Sequence, residues 1–158
     1  MAITVTKRTG KKENLDLEKL HKVVFWATEG ITGVSASQVE LKSHIQFYNG
    51  ISTKNIQETL IKSAADLITE ETPNYQFVAG RLINYSLRKE VYRQFKPCDI
   101  YEIVVKNVNN GFYDPELLHE YTEGEWNYIN NFIKHHRDED FTYVAMEQFR
   151  GKYLVQNR

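Results

Sequence analysis

A single cysteine, Cys98, is the only thiol among the 158 residues. That excludes an internal disulfide and a cysteine-rich zinc site, and it suits a reducing, cytoplasmic setting. No apolar run approaches the roughly 18 residues of a membrane-crossing helix, and the first residues lack a signal-peptide core, so no membrane partner is expected. The glycine-rich loop that cradles phosphates in many nucleotide enzymes is also missing. Gly10-Lys11-Lys12 has neither the earlier glycine nor a following Ser or Thr, and reads as a solvated hairpin tip. No Ser-His-Asp or paired-carboxylate arrangement is recognisable, which leaves no candidate catalytic residue. His135 and His136 are adjacent, so on a helix they diverge by about 100° and do not converge on one metal. Neither an internal repeat nor a low-complexity segment interrupts the chain.

What is present is ordinary for a globular protein: 41% hydrophobic and 26% charged residues, enough for a buried core. A 13% aromatic share with ten tyrosines points to substantial packing surfaces. The net charge of -1 hides an asymmetry. Residues 1–95 hold 13 Lys and Arg against 10 Asp and Glu, and residues 96–158 hold 7 against 11. A balance of +3 favours a local anion site over a nucleic-acid surface, so no nucleic-acid partner is expected.

Ile3-Thr4-Val5-Thr6 alternates as a short strand, Thr9-Gly10 turns the chain, and Glu13-Asn14-Leu15 leads it back. Asp16 then caps a helix over about 17–29, with Leu17, Leu20, Val24 and Ala27 at helical spacing. Ser37 with Glu40 reads as a capping box for a second helix to about Tyr48. Asn49-Gly50 breaks it, Ile51 adds an edge strand, and Ser52 or Thr53 caps a third helix carrying Ile56, Leu60, Ala64 and Leu67. Pro73 stands at the start of a fourth helix that runs to about Gln94, and Lys96-Pro97 marks a domain boundary. Helices over 99–109, from Thr122 through His136, and over 142–151 complete the pattern. The fold class is mainly α: a small β-hairpin and about seven helices, divided into domains 1–95 and 96–158.

Within the hairpin, Lys7 shares strand parity with Ile3 and Val5, so its amine reaches a partly enclosed place if the hairpin covers the helices. Judged alone, it is a strand-end lysine with a solvated head. Thr53 has a hydroxyl at a positive helix end, where it serves either its own backbone or a phosphate. Lys89 follows Arg88 near a helix C-terminus, where the dipole favours cations.

Together these residues form an ordered series. Val5-Thr6-Lys7-Arg8, Gly10, Glu13, Asp16, Lys19 and Thr53 resemble the ATP-cone, the allosteric nucleotide-binding module of many ribonucleotide reductases. Ser43-His44-Ile45-Gln46-Phe47-Tyr48, Pro73-Asn74-Tyr75-Gln76 and Leu87-Arg88-Lys89 extend the resemblance. So do Tyr113-Asp114-Pro115-Glu116-Leu117-Leu118, His136-Arg137-Asp138 and Lys152-Tyr153-Leu154-Val155, all similar to the front of the class Ia large subunit.

The resemblance implies a three-stranded sheet capping a four-helix bundle, followed by helices that lead toward a catalytic barrel. It implies ATP or dATP as effector, with Mg2+ accompanying the triphosphate. Lys7 and Arg8 would neutralise phosphates, with Thr53 and Lys89 in contact. Glu13, Asn14, Leu15, Asp16, Leu17, Glu18 and Lys19 would line the base and ribose, Lys19 turning toward the phosphates. Gln57 stands where inhibitable bacterial relatives carry a histidine, so dATP inhibition is the open property of this site. The implied partners are the remainder of the large subunit and a small radical-generating subunit.

With Cys98 as its only thiol the chain lacks the family's catalytic cysteines, and is expected to be a piece of that subunit, inactive by itself. Two alternatives remain. One is a degenerate cone acting only in packing, against which the retained basic residues speak. The other is a stand-alone nucleotide sensor with a zinc ribbon, for which the cysteines are missing.

Overall fold

The computed structural model describes residues 3–154, and Val155, the last residue of one motif above, lies outside them. By contact the chain forms two compact units. The first comprises the described residues up to Leu87 and those from Asp138 onward; the second comprises residues 88–137.

The first unit opens with β1 (Thr4–Thr6) and β2 (Lys12–Asn14), paired antiparallel with Val5 opposite Glu13. Gly10 closes the turn with a φ of 82°, a left-handed conformation that glycine adopts without steric penalty. After α1 (Leu17–Thr28) and α2 (Ala36–His44), β3 (Ile51–Ser52) returns to the free edge of β1. It pairs parallel, Val5 with Ile51 and Thr6 with Ser52, and the strand order is β2-β1-β3. The chain passes directly into α3 (Thr53–Ala65) and then α4 (Tyr75–Val91). Apolar residues at helical spacing put Leu20, Val24 and Ala27 of α1 in one buried core with Ile56, Leu60, Ile61 and Ala64 of α3 and Val78, Leu82 and Ile83 of α4. Val5 and Ile51 close it from the sheet. A four-helix bundle capped by a small sheet is thus the observed architecture.

The start of α2 departs from expectation. Ser35, not Ser37, occupies the cap position, without a side-chain cap bond. Glu40 is engaged elsewhere, its carboxylate 2.7 Å from His21 Nδ1 on α1. Backbone satisfaction comes from a tertiary contact instead: the Ser35 N–H donates to the Tyr75 hydroxyl at 2.9 Å, which donates to Gln38 Oε1 at 2.6 Å. The helix also ends at His44 rather than near Tyr48. The Gln46 and Phe47 N–H groups bond back three residues, to Ser43 and His44, tightening the last turn before the chain swings to β3.

Residues after Asp138 return to this unit instead of continuing the second. Met146, on a short helix Tyr143–Gln148 capped by Thr142, lies in the same core, and a π-helical turn, Phe149–Tyr153, follows. The approach depends on Gly80, where a Cβ would overlap the Phe141 carbonyl oxygen. Arg81 fastens it, donating from Nη1 to the Glu29 carbonyl at 2.7 Å and from Nε to the Glu139 carbonyl at 3.3 Å. The contact boundary therefore falls at Leu87, ahead of the Lys96-Pro97 break.

In the second unit, α5 (Ile100–Asn109) is capped by Asp99, which accepts from the Tyr101 N–H at 2.9 Å. A single turn, α6 (Leu117–Glu120), was not evident in the sequence. Helix α7 (Glu123–Phe132) begins with a full capping box between Thr122 and Glu125 and stops at Phe132, short of His136. A 3-10 turn, His135–Asp140, takes over there. Among the described residues no group of three or more His, Cys, Asp or Glu is arranged for a metal.

Candidate functional site

Because side chains alternate along a strand, Lys7 falls on the same face as the buried Val5. Glu13 sits opposite Val5, which makes it the diagonal neighbour of Lys7, and the ammonium meets its carboxylate at 2.9 Å. The Lys7 side chain stays 43% exposed, a more open position than the alternation suggested. Its backbone is held in the turn: its N–H donates to the Lys11 carbonyl at 2.8 Å, and its carbonyl accepts from the Gly10 N–H at 2.9 Å.

Arg8 is exposed in the same turn. Burial pushes the Tyr85 hydroxyl of α4 up, and the Arg8 charge draws it down. Asp16 caps α1 by accepting the Lys19 N–H at 3.1 Å and also holds the Lys19 ammonium at 3.1 Å. These bonds hold the Asp16 carboxyl low and raise the Lys19 ammonium. Glu13 is held low first by its bond to Lys7, then by the charges of Lys7, Lys19 and Lys11. Lys7, Glu13, Asp16 and Lys19 thus form one electrostatic group, two cations each answered by a carboxylate. Asn14 is an exposed strand residue paired with Thr4, and Leu15 packs against the core with its N–H on the Ile3 carbonyl at 2.8 Å. Leu17 and Glu18 are exposed in the first turn of α1.

The parallel pairing of Thr6 with Ser52 sets the beginning of α3 beside the end of β1. Ser52 is the cap, accepting the Asn55 N–H at 3.0 Å, which leaves the Thr53 hydroxyl out of capping. Gln57 lies four residues on, on the Thr53 face of the helix. Its Oε1 is shielded from solvent and has no hydrogen-bond partner among the described residues. A buried acceptor without a donor is unfavourable by roughly 1–3 kcal/mol, so this atom calls for a donor. Lys89 stands in the last turn of α4, beyond Leu87, in the second unit.

Of the expected residues, the first unit therefore brings together Lys7, Arg8, Glu13, Asp16 and Lys19 on the hairpin and α1, with the start of α3 adjoining β1. Lys7 and Arg8 beside a helix N-terminus suit an anion with several negative oxygens. Two features went unread in the sequence: the carboxylate answering each lysine, and the choice of Ser52 over Thr53 as cap. The first had a signal, since a hairpin centred on Thr9-Gly10 puts Glu13 diagonal to Lys7.

A basic hairpin is thus coupled by a parallel strand to the positive end of a helix. The chain belongs to the ATP cone domain family, whose model matches residues 3–90. Over 156 residues it is 54% identical to ribonucleoside-diphosphate reductase 1 subunit alpha of Escherichia coli (strain K12), covering 99% of this chain and 20% of that protein. The corresponding subunit alpha of Haemophilus influenzae is 52% identical over 157 residues, 99% of this chain and 21% of that one. That of enterobacteria phage T4 is 40% identical over 158 residues, again 99% and 21%. The chain thus spans about a fifth of the length of the curated relatives it matches.

Proposed function

We propose that this chain is the effector-binding front part of a ribonucleoside-diphosphate reductase alpha subunit, and that its ligand is ATP or dATP. The observation that carries this is the Thr6 to Ser52 pairing, which joins Lys7 and Arg8 to the N-terminus of α3 within a chain of the ATP-cone family. The parent enzyme would convert ribonucleoside diphosphates to deoxyribonucleotides in the cytoplasm, working with a small radical-generating subunit. This chain would report nucleotide balance to it rather than perform the chemistry.

In this proposal the triphosphate replaces a carboxylate. Lys7 exchanges Glu13 for a phosphate oxygen, Arg8 adds a second charge, and the Thr53 hydroxyl with the first α3 N–H groups complete the cradle. Glu13, released from Lys7, accepts a ribose hydroxyl, and Asn14 to Lys19 border the base and sugar. Mg2+ would be held by the triphosphate's own oxygens. ATP and dATP differ by one hydroxyl donor, so regulation needs a conformation that binds one better than the other.

Separate calorimetric titrations with ATP and dATP test the proposal. Lys7→Ala should weaken both by about 1–3 kcal/mol, roughly 5- to 150-fold in Kd. An unchanged Kd removes Lys7 from the site. No heat from either nucleotide at millimolar concentration leaves a cone that only packs, and equal affinities leave dATP-specific control without a basis.

A further inference from the structure

The sheet link between the hairpin and α3 is short: β3 supplies only Ile51 and Ser52. Their partners, Val5 and Thr6, stand immediately before Lys7 and Arg8. Val5 and Ile51 are buried, which fixes the face that each strand turns inward.

Ahead of β3 the seam is closed by a side chain. Asn49 Oδ1 accepts the Thr4 N–H at 2.9 Å and the Thr4 hydroxyl at 2.6 Å, taking the place that a backbone carbonyl holds along a longer strand. Gly50, at a φ of 86°, donates its N–H to the Thr4 carbonyl at 2.8 Å and accepts the Thr6 hydroxyl at 3.2 Å. Thr4 is thus gripped through its N–H, its hydroxyl and its carbonyl. Helix capping does not account for this arrangement, since α2 ends at His44 and Ser52 caps α3.

We propose that Asn49 is a positioning residue for the effector site, an inference that rests on the nucleotide reading above. It acts through Thr4 and not by touching the ligand. By clamping Thr4 it holds β1 against β3, and so holds Lys7 and Arg8, about 10 Å or more farther along the chain, at a fixed place beside the α3 N-terminus. The two halves of the cradle come from segments 45 residues apart at Thr4 and Asn49, so one anion is shared between them only while this seam is closed. Both Thr4 donors go to a single oxygen. A carboxylate therefore serves in its place, whereas a methyl group does not.

The test is calorimetric titration of the full chain with ATP and with inorganic triphosphate, thermal melting reporting the fold of each variant. Salt of about 0.15 M screens an added charge beyond roughly 8 Å. Asn49→Ala should weaken both ligands by about two- to tenfold, the worth of a hydrogen bond, while Asn49→Asp stays within about twofold of the unmodified chain. Thr4→Val keeps the N–H bond and loses the hydroxyl bond, and should fall between them. The Lys7→Ala loss should also be smaller in an Asn49→Ala chain, because a cation no longer held against α3 contributes less. A lowered melting temperature with unchanged Kd in Asn49→Ala marks a residue that only supports the fold, and overturns the inference. So do Asn49→Asp binding as weakly as Asn49→Ala, or strictly additive losses with Lys7→Ala. Should Asn49→Ala fail to fold, Thr4→Val carries the test, and an unchanged Kd in it overturns the inference. No binding by the unmodified chain fails the nucleotide reading itself, and this inference with it.

Discussion

The two units bury very different amounts of apolar side chain. Sixteen apolar residues are buried in the core of the first, whereas in the second only Val104 and Trp126 are, among the described residues. The second unit leaves Tyr128 70% and Phe132 71% exposed on α7, where the two rings stack at 6.2 Å. Its order rests instead on local devices: an Asp99 cap, a Thr122 capping box and an aromatic group around one indole. A unit held by a core resists the loss of any one contact better than a unit held by caps. That division suits the proposed function, because the ligand-binding unit is the one that can keep its geometry.

The largest test of this difference removes core volume. Leu82 is fully buried on α4, and Leu82→Ala should destabilise the first unit by about 2–5 kcal/mol. Val104→Ala in the second removes two methyl groups, about 1.5 kcal/mol by transfer alone. Native-state hydrogen exchange reads both. The second unit should nonetheless open more completely, since its margin is smaller; equal protection in the two units of the unmodified chain would break the comparison.

Next is the segment that returns after residue 137. Gly80→Val should cost about 1–3 kcal/mol by forcing Phe141 away, and limited proteolysis should then cut the chain between Asp138 and Thr142. Here the limit of sequence reasoning is visible. Helices α1 and α7 could be read with their caps, because Asp16 and Thr122 act on backbone within three residues. The return could not, since it depends on one helical glycine meeting a carbonyl 61 positions away in sequence. The Ser37–Glu40 box failed for the same reason: His21, on another helix, had already taken Glu40. In the site, Lys7, Arg8 and Lys19 were legible as charges, but their pairing with Glu13 and Asp16 required the register of the hairpin and the turn of a helix.

A second pair of changes holds the chemistry constant. Ser52→Ala removes the α3 cap and Thr122→Ala the α7 cap, each by about 1 kcal/mol. In the first unit the loss should lower the global midpoint and leave α3 helical, since Ile56, Leu60 and Ile61 still anchor it. In the second it should fray α7, which buries Trp126 alone. Carbon chemical shifts along both helices separate the cases, and fraying of α3 to the same extent would remove the distinction.

The smallest effect is on pH, and its two ends affect the units differently. Glu13 is held low by Lys7 and Asp16 by Lys19 in the first unit; Glu125 is held low by the Thr122 N–H and hydroxyl in the second. A carboxyl lowered by folding contributes stability above its unfolded value, near 4.5 for Glu and 3.8 for Asp, and loses it as pH falls through the folded value. Acid should therefore loosen both units. Lys19 is raised above 10.5 by Asp16, so its contribution is present below that value and disappears as pH rises through the folded one. Alkali should thus remove this contribution from the first unit only. Because Glu13, Asp16, Lys19 and Glu125 are all open to solvent, each change is small and screened by salt. Amide spectra across the pH range resolve them: Glu125→Gln should flatten the acid response of residues 123–126 and leave residues 12–19 unaltered. Asp16→Asn should remove the alkaline response of the α1 start. If it persists in that variant, the Asp16–Lys19 pair is not its source.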